Sequence, residues 1–399
     1  MRTIKDIDLS QKKVMIRVDF NVPLDRERQI TDDARIEAVL PTLKYALSQD
    51  ACVILASHLG RPKGQVKMAF SLQPVAHRLS EILGQDVVMA PDCIGEDVAA
   101  LTHGMKAGQI LMLENLRFHE QEQQNDPHFG KALAALCDVY INDAFAVSHR
   151  AHASVVSITE HAPISAGGLL LERELDYFDK VMQTPVRPLV AIVGGAKISS
   201  KLSALKNMLQ HVDKIIVGGA MANTFIKSKA CDVGRSMIEE DMVDVARDVM
   251  EMAHARGIKF YMPVDVVVAD RLDSGAVLKN LPIQEIPSTW LAADIGPATS
   301  CLYEEVLQDA GTIIWNGPMG VFEMEAFSHG TFGLARAVGS SSATSIIGGG
   351  ETGSAVHLAQ EAHNMSYIST GGGAFLTLME GQQLVAVAAL EKTANSELS

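Results

Sequence analysis

The sequence predicts an α/β protein made of two doubly wound, Rossmann-like parallel-sheet domains joined by a hinge helix. The chain has 399 residues, which is long for a single core. Apolar, β-branched runs alternate with amphipathic runs along its whole length. The apolar runs are continuous rather than alternating, as in parallel strands that are covered by helices on both faces of a sheet.

Strands and helices follow each other regularly in both halves of the chain. In the first half we predict strands at residues 13–20, 51–58, 86–91, 109–118 and 139–146. In the second half we predict strands at residues 188–195, 214–219, 259–269, 312–318, 344–350 and 365–373. The amphipathic runs between them predict helices, among them residues 33–49, 71–83, 199–212 and 241–257.

A single amphipathic helix at residues 169–183 divides the two halves. Gly167 and Gly168 precede this run, and Pro185 and Pro188 follow it, so helix-breaking residues lie at both ends. We therefore predict a first domain at 1–168, a connecting helix at 169–183 and a second domain at 184–375.

The charge and the cysteines limit the classes of partner and compartment. A net charge of −14 argues against nucleic acid and anionic membranes as partners. No apolar run approaches the roughly 18 residues of a membrane span, and the N-terminus lacks an apolar signal segment. Five dispersed cysteines predict reduced thiols and a cytoplasmic protein, with three of them in apolar stretches: Cys52, Cys137 and Cys301.

Cationic and polar side chains follow the predicted strands of the first half. Ligands of open α/β sheets bind beyond the carboxyl ends of the strands, so these side chains predict a site for a small, multiply charged anion. The set comprises Asp19, Asn21, Arg35, His58, Arg61, Arg117, His149, Arg150 and His152. Any one arginine alone could be a solvated loop residue. His149 and His152 could also be read as metal ligands, although no other convincing ligand accompanies them.

Glycine-rich turns follow the predicted strands of the second half instead. Glycine lets the backbone approach a ligand closely, and the free N–H groups of a helix start bind phosphate, so five such turns with two lysines predict a nucleotide site. Each turn alone could also reflect tight packing between a strand and a helix. The turns contain Gly194, Gly195, Lys197, Lys201, Gly218, Gly219, Asn316, Gly317, Pro318, Glu323, Glu351, Thr352, Gly371, Gly372 and Gly373.

One of these turns matches a dinucleotide-binding fingerprint, because Gly348, Gly350 and Gly353 fit G-x-G-x-x-G. A dinucleotide site also needs an acidic residue at the end of the next strand, and glycines occupy that place. Glu351 lies inside the turn, where it would repel phosphates unless Mg²⁺ lay between them. No G-x-x-x-x-G-K-[ST] motif is present. The residues therefore favour a Mg-nucleotide site of another type.

At this point the chain resembles the phosphoglycerate kinase family over nearly its whole length. The resemblance is carried by the segments RVDFNVP, SHLGRP, ENLRF, SHRAHAS, GGAK, WNGP and STGGGAF, which occur in the family's order and at its spacing. It implies reversible phosphoryl transfer between 1,3-bisphosphoglycerate and ADP, giving 3-phosphoglycerate and ATP, in glycolysis and gluconeogenesis.

The resemblance also implies a role for each matching residue. Those that would hold phosphoglycerate are Asp19, Asn21, Arg35, His58, Arg61, Arg117 and Arg150. Those that would hold the nucleotide, or lie around it, are Gly194, Gly195, Lys201, Gly218, Gly219, Asn316, Glu323, Gly349, Gly350, Glu351 and Thr352, with Glu351 near the metal. Arg35 and Lys197 would flank the moving phosphoryl group. Gly371, Gly372 and Gly373 would serve the hinge and a helix N-terminus.

The family resemblance further implies a monomer, hinge bending between the domains, and packing of residues 376–399 on the first domain. The sequence departs from the family at Glu351, where aspartate is usual, and at Ala146 and Val147, where Gly-Thr is frequent. Two alternatives stay open. One is a two-domain dehydrogenase, which the missing ribose acid disfavours, and the other is a non-catalytic binding protein that keeps the pockets.

Overall fold

The computed structural model describes residues 1–396 and divides into two compact units. The first unit comprises Met1–Asp176 together with the described residues from Gln383 onward, and the second unit comprises Tyr177–Gln382. Each unit contains a six-stranded sheet whose strands are all parallel. The predicted class of two parallel-sheet α/β domains is therefore confirmed. Within residues 1–396, no helix has both the length and the apolar character that crossing a bilayer requires.

The strands of the first unit are β1 (Lys13–Arg17), β2 (Cys52–Ala56), β3 (Val87–Met89), β4 (Ile110–Met112), β5 (Val139–Asn142) and β6 (Ser165–Gly167). They pair in the order β3-β4-β2-β1-β5-β6, so that β1 and β2 lie at the centre. The helices of this part of the chain are α1 (Ala34–Ser48), α2 (Gln73–Leu83), α3 (Glu96–His103), α4 (Glu120–Gln123), α5 (Pro127–Ala134) and α6 (Leu169–Gln183).

The strands of the second unit are β7 (Leu189–Val193), β8 (Lys214–Val217), β9 (Lys259–Tyr261), β10 (Asp265–Ala269), β11 (Leu278–Pro282), β12 (Leu291–Ile295), β13 (Thr312–Asn316), β14 (Thr344–Gly348) and β15 (Tyr367–Ile368). The parallel sheet has the order β15-β14-β13-β7-β8-β9. Its two halves run outward from β7 and β13, which are paired with each other, so the carboxyl ends of these two strands form the topological switch point.

The helices of the second unit are α7 (Leu202–Met208), α8 (Met221–Ser228), α9 (Val243–Ala255), α10 (Pro297–Leu307), α11 (His329–Ser340), α12 (Gly350–Leu358) and α13 (Gly372–Met379). The last helix, α14 (Val385–Ser396), belongs to the first unit and packs against β6. There the backbone N–H of Ala386 donates a hydrogen bond of 3.1 Å to the carbonyl of Ser148. Residues 397–399 of the segment predicted at 376–399 lie outside the described residues.

One strand prediction needs correction, and three strands of the structure were not predicted. The single strand predicted at 259–269 is wrong, because β9 ends at Tyr261 and β10 starts at Asp265 in a separate antiparallel sheet of order β11-β10-β12. Pro263 lies between them, and proline has no N–H for the ladder of a central strand. The short edge strand β6 was not predicted, since the segment SAG has no β-branched or aromatic residue. The strands β11 and β12 of the antiparallel sheet were not predicted either.

The burial of the cysteines also differs in part from the expectation. Cys52 and Cys137 are buried, but Cys301 is exposed and Cys93 is fully buried. Cys301 lies on α10, whose inward face is formed by Thr299, Tyr303, Val306 and Leu307. The apolar residues next to Cys301 in the sequence therefore did not predict the burial of its thiol, because the burial depends on which face of α10 the residue occupies.

Candidate functional site

The loops with the predicted anion-binding residues follow four adjacent strands of the first unit. Arg117 follows β4, His58 and Arg61 follow β2, Asp19 and Asn21 follow β1, and Arg150 follows β5. These strands are neighbours in the order β4-β2-β1-β5, and parallel strands end at the same edge of a sheet. Arg35 lies in the first turn of α1, which follows β1. The loops of this set therefore converge at one edge of the sheet.

Asp19 joins several members of this set. Its carboxylate is 8% exposed and accepts a hydrogen bond from Nη1 of Arg35. It also accepts a hydrogen bond of 3.1 Å from the backbone N–H of Asn21, and it lies 3.8 Å from Nδ1 of His58. The side-chain oxygen of Asn21 accepts a hydrogen bond of 2.8 Å from the N–H of Gly60. These contacts hold the loops after β1 and β2 together.

Arg117 has an incomplete set of protein partners. Its side chain is 4% exposed, and its Nη1 donates a hydrogen bond of 2.8 Å to the carbonyl of Gly60. Its Nε and Nη2 are buried and have no hydrogen-bond partner. Burial, followed by the charges of Arg17 and Arg150, lowers the pKa of Arg117 to about 10, so the group stays cationic at neutral pH. A buried cation with free N–H groups fits an anionic ligand.

The remaining arginines are more accessible. Arg61 and Arg150 are exposed, and the side chain of Arg35 is about one-third exposed. Nε of Arg150 donates a hydrogen bond of 3.1 Å to Nε2 of His149. The set thus combines one buried arginine with three that reach toward solvent.

The histidines of this edge are neutral at physiological pH. Burial, followed by nearby arginines, lowers the pKa of His58 and lowers that of His152 to about 3. Burial and then Arg150 lower the pKa of His149 as well. The positive charge of the edge therefore comes from the arginines. The same arginines would repel a metal cation, which disfavours the reading of His149 and His152 as metal ligands.

Two buried charges beneath this edge were missed in the sequence. Arg17 is fully buried in β1, and its Nε donates a hydrogen bond of 2.8 Å to Oγ of Ser154. Its Nη2 lies 4.0 Å from Oε1 of Glu122, which is also fully buried and accepts hydrogen bonds from the N–H and Oγ of Ser154. A charge inside an apolar strand run was the signal for Arg17. Glu122 stands in a polar run and gave no signal.

In the second unit, the predicted glycine turns meet at the switch point between β7 and β13. Gly194 and Gly195 follow β7, and Asn316 ends β13. Nζ of Lys201 donates a hydrogen bond of 2.9 Å to the carbonyl of Asn316. Burial lowers the pKa of Lys201 to about 8, and the carboxylate of Glu351 opposes that shift. A lysine with this pKa is largely protonated at pH 7 and responds to the arrival of an anion.

Several of these glycines are required by close packing of the turns against one another. A Cβ at Gly194 would lie 2.2 Å from the carbonyl of Pro318, and a Cβ at Gly317 would lie 2.3 Å from that of Gly194. A Cβ at Gly218 would lie 2.2 Å from Sδ of Met319. The space around Gly350, by contrast, is open. Tight packing therefore explains the glycines at positions 194, 218 and 317, whereas no packing constraint explains Gly350.

Two helix N-termini lie side by side next to these turns. Gly349, with a φ of +97°, precedes α12, and a Cβ at Gly372 at the start of α13 would lie 2.8 Å from Cα of Gly349. Glu351 is exposed in the first turn of α12, while Thr352 is buried and its Oγ1 accepts a hydrogen bond of 2.7 Å from the N–H of Gly317. The N–H groups in the first turn of a helix lack intrahelical acceptors, so the adjacent starts of α12 and α13 can bind phosphate. Gly371 and Gly373 flank the same helix start.

A cavity of about 260 Å³ opens beside the switch point. Its walls are mainly apolar side chains and glycines, among them Gly195, Gly219, Ala293 and Pro318. Two exposed carboxylates, those of Glu323 and Glu351, also line it. Lys197 is exposed on the loop after β7. That loop is held by Glu239, whose Oε2 accepts a hydrogen bond of 3.0 Å from the N–H of Ser199. Several residues that line the cavity belong to the predicted nucleotide site, whereas Glu239 was not predicted.

A buried acid in the same cavity was also missed. Asp294, at 4% exposure, accepts hydrogen bonds of 2.7 Å and 2.9 Å from the N–H groups of Gly330 and Ile295. Burial raises the pKa of this carboxyl to about 7, although both N–H groups lower it. Asp294 lies near the end of β12, before a Gly-Pro pair, and this position in the sequence could have indicated a site residue.

An arginine-lined anion edge in one parallel-sheet unit and a glycine-rich switch point in the other define a kinase that acts on small molecules. Comparison with known proteins supports this class. The family model described as phosphoglycerate kinase matches residues 4–382. The chain therefore belongs to the phosphoglycerate kinase family, and it is a phosphotransferase of glycolysis.

The relatives agree over nearly the whole chain. The chain is 56% identical to a phosphoglycerate kinase of Citrifermentans bemidjiense, with 98% of each chain covered. It is 56% identical to one of Geobacter metallireducens, with 98% of this chain and 99% of that one covered. The solved phosphoglycerate kinase of Coxiella burnetii has a TM-score of 0.88 at 41% identity, covering 98% of this chain and 99% of that one. That of Pyrococcus horikoshii has a TM-score of 0.86 at 31% identity, covering 99% and 100%.

We expect Gly219→Ala to destabilise the second unit by about 3 kcal/mol or more. Gly219 has a φ of +68°, and a Cβ would lie 2.5 Å from the backbone nitrogen of Gly195. Gly257→Ala is the matched control, because its φ is +71° but no atom lies within 4 Å. The control should cost only about 1 to 2 kcal/mol. Urea unfolding followed by tryptophan fluorescence measures the second unit, which contains both tryptophans. Equal losses in the two variants would contradict the packing argument.

The stability of the second unit should depend on pH through Asp294. Its folded pKa of about 7 exceeds the ordinary value of 3.8, so the folded state holds the proton more tightly than the unfolded state. The free energy of unfolding therefore falls as pH rises from about 4 to about 7. Between pH 5 and pH 8 this carboxyl should account for a fall of about 2 to 3 kcal/mol.

Asp294→Asn tests this dependence, because an amide does not titrate in this range. Urea unfolding at pH 5 and pH 8, followed by tryptophan fluorescence, should show a smaller difference between the two pH values in the variant. An identical difference in the variant and the natural protein would show that Asp294 does not titrate in this range.

Proposed function

We propose that this protein catalyses reversible phosphoryl transfer between 1,3-bisphosphoglycerate and ADP, giving 3-phosphoglycerate and ATP. Family membership supports the reaction. The observation that carries the proposal for this chain is the buried guanidinium of Arg117, two of whose N–H-bearing nitrogens lack any protein acceptor. Phosphate and carboxylate are the ligands that complete such a group.

We assign phosphoglycerate to the arginine-lined edge of the first unit. Its phosphate and carboxylate would be bound by Arg117 from within and by the more exposed Arg61 and Arg150 from outside. Asp19 and Asn21 orient Arg35 and the loop after β2 through the contacts described above. The full proposed set is Asp19, Asn21, Arg35, His58, Arg61, Arg117 and Arg150.

We assign the nucleotide to the cavity and helix starts of the second unit. Apolar and glycine walls suit a purine and ribose, and the adjacent starts of α12 and α13 suit phosphates. Lys201 and Lys197 supply positive charge from the loop after β7. The full proposed set is Gly194, Gly195, Lys197, Lys201, Gly218, Gly219, Asn316, Glu323, Gly349, Gly350, Glu351, Thr352, Gly371, Gly372 and Gly373.

The donor set of the cavity fits Mg²⁺. Glu323 and Glu351 are exposed carboxylates that line the cavity, and Mg²⁺ prefers carboxylate and phosphate oxygens. We propose that Glu351, with Glu323 nearby, holds the ion that accompanies the nucleotide. When bound, Mg²⁺ neutralises charge on the phosphate oxygens.

The transfer step needs no general base from the protein. In the direction of 1,3-bisphosphoglycerate formation, a carboxylate oxygen of 3-phosphoglycerate forms a bond to the γ-phosphorus of ATP. The bond from that phosphorus to the bridging oxygen breaks, and its electron pair leaves with ADP. The nucleophile is already ionised, so no histidine of the first unit is required to remove a proton from it. We propose that Arg35 and Lys197 stabilise the charge of the transferring group.

We further propose a monomeric enzyme of the cytoplasm that binds neither nucleic acid nor membrane. The net charge of −14 supports the absence of nucleic acid and anionic membranes as partners. The proposal of a monomer rests on the family resemblance. Light scattering on the purified protein measures the molar mass and tests it. Hinge bending at residues 169–183 stays a prediction.

A coupled assay with ATP, Mg²⁺ and 3-phosphoglycerate tests the reaction, and two substitutions test the roles at the transferring group. Arg35→Ala and Lys197→Ala should each lower kcat by at least about tenfold, because each removes a charge that counters the equatorial oxygens. Lys206→Ala is the control, since Lys206 is an exposed lysine on α7 of the same unit. A near-normal kcat in either variant would overturn that residue's role.

Glu351→Asp tests the metal position. The shortened side chain moves the carboxylate by one methylene, so the Mg²⁺ concentration for half-maximal activity should change by at least about threefold, with the fold unchanged. Activity of the natural protein supports catalysis with glutamate. Activity that appears only in Glu351→Asp would favour a binding protein with a diverged metal site. An unchanged Mg²⁺ dependence would exclude Glu351 from the metal.

A further inference from the structure

Three side chains with metal-binding chemistry meet at another place in the first unit. Asp92 and Cys93 lie in the segment after β3, and His119 lies in the segment after β4. These strands are parallel neighbours, so both segments leave the same edge of the sheet. The N–H of Glu114 donates a hydrogen bond of 3.3 Å to the carbonyl of Asp92, which ties the two segments together. Among residues 1–396 this is the cluster of three such ligands that the structure contains.

The geometry of this cluster is compact. One ligand atom from each of Asp92, Cys93 and His119 lies within 4.8 Å of the other two. Nε2 of His119 lies 2.7 Å from Oδ1 of Asp92. Cys93 is fully buried, whereas the side chains of His119 and Asp92 are 25% and 44% exposed. The thiol thus forms the floor of a site whose other two ligands can be reached from solvent.

We propose that Asp92, Cys93 and His119 bind a divalent transition-metal ion of the zinc class. A thiolate, an imidazole and a carboxylate together are the donor set of Zn²⁺ and Co²⁺, whereas Mg²⁺ prefers oxygen ligands alone. Three protein ligands leave a fourth position to water. The site is separate from the carboxylates proposed for Mg²⁺, which belong to the second unit.

Ion binding requires only small adjustments of the side chains. Neighbouring donors around a tetrahedral zinc ion lie roughly 3.3 to 3.6 Å apart, given bond lengths of about 2.0 to 2.3 Å. The hydrogen bond between His119 and Asp92 would be replaced by two bonds to the ion, and the thiol proton of Cys93 would pass to solvent. The ring of His119 packs against that of Phe129, with centroids 5.3 Å apart, which limits its orientation.

An ion at this position would fasten the segment that carries Arg117. His119 stands two residues after Arg117, and the N–H of His119 donates a hydrogen bond of 3.2 Å to the carbonyl of Leu116. The ion would therefore join that turn to the segment after β3. This inference concerns an ion that joins two segments, and it does not rest on the proposed phosphoryl transfer.

Titration of the purified full chain with Co²⁺, in a buffer with a phosphine reductant, tests the site. We expect one Co²⁺ per chain to produce a thiolate-to-metal charge-transfer band in the near ultraviolet. Zn²⁺ should abolish the band, and excess Mg²⁺ should leave it unchanged. Absence of any thiolate band in the natural protein, or its loss on addition of Mg²⁺, would overturn the proposal.

Variants assign the band to these residues. Cys93→Ala should abolish it, and His119→Gln should weaken Co²⁺ binding by at least about tenfold. The side chain of His119 is 25% exposed, so we expect His119→Gln to retain the fold even if Cys93→Ala unfolds the first unit. Cys52→Ala is the matched control, because Cys52 is also buried but lies in β2 outside the cluster. A band that persists in Cys93→Ala, or disappears in Cys52→Ala, would place the thiolate elsewhere and contradict the site.

Discussion

Parallel pairing of the strands is the constraint on which both candidate sites depend. Every strand of a parallel sheet ends at the same edge, so loops that are far apart in sequence meet there when their strands are neighbours in the sheet. In the first unit this brings together segments that follow β4, β2, β1 and β5. In the second unit, the sheet runs outward from the paired strands β7 and β13, and the glycine turns that follow these two strands pack against each other. The chemistry of each unit therefore lies mainly in short loops, while the strands beneath are mostly apolar, with the buried Arg17 of β1 as an exception.

Burial of charge shapes the first of these sites. Arg17 and Glu122 are fully buried and share Ser154, so they form an internal polar network rather than a surface pair. Arg117 lies nearby with part of its guanidinium unpaired, and the other arginines oppose its protonation. Burying a cation without its full set of acceptors is costly, and an anionic ligand relieves that cost. Stability and ligand affinity are thus coupled at this edge.

The sequence was sufficient for features that depend on local pattern. Continuous apolar runs predicted most strands, and turn residues after them marked the loops of both sites. The missed features depend on distance in the chain or on packing. Arg17 and Glu122 are 105 positions apart, a separation that no periodicity reveals. The break at Pro263 sends β10 into another sheet, and the burial of Asp294 depends on α11, which supplies the N–H of Gly330. The role of each glycine could not be predicted for a related reason. A Cβ at Gly219 would collide with the neighbouring turn, whereas a Cβ at Gly350 would meet no atom, and the sequence does not distinguish the two cases.

The first unit is discontinuous in sequence, and this has a consequence for synthesis on the ribosome. Its sheet is encoded before residue 168, but Ala386 and Leu390, which are almost completely buried, come from the last helix. The second unit is encoded by one uninterrupted stretch that has been translated before that helix begins. Domains generally fold as units during translation, starting from the N-terminus. Here the order of completion is inverted, because the nascent chain contains every residue of the second unit while the first unit still lacks the helix that completes it.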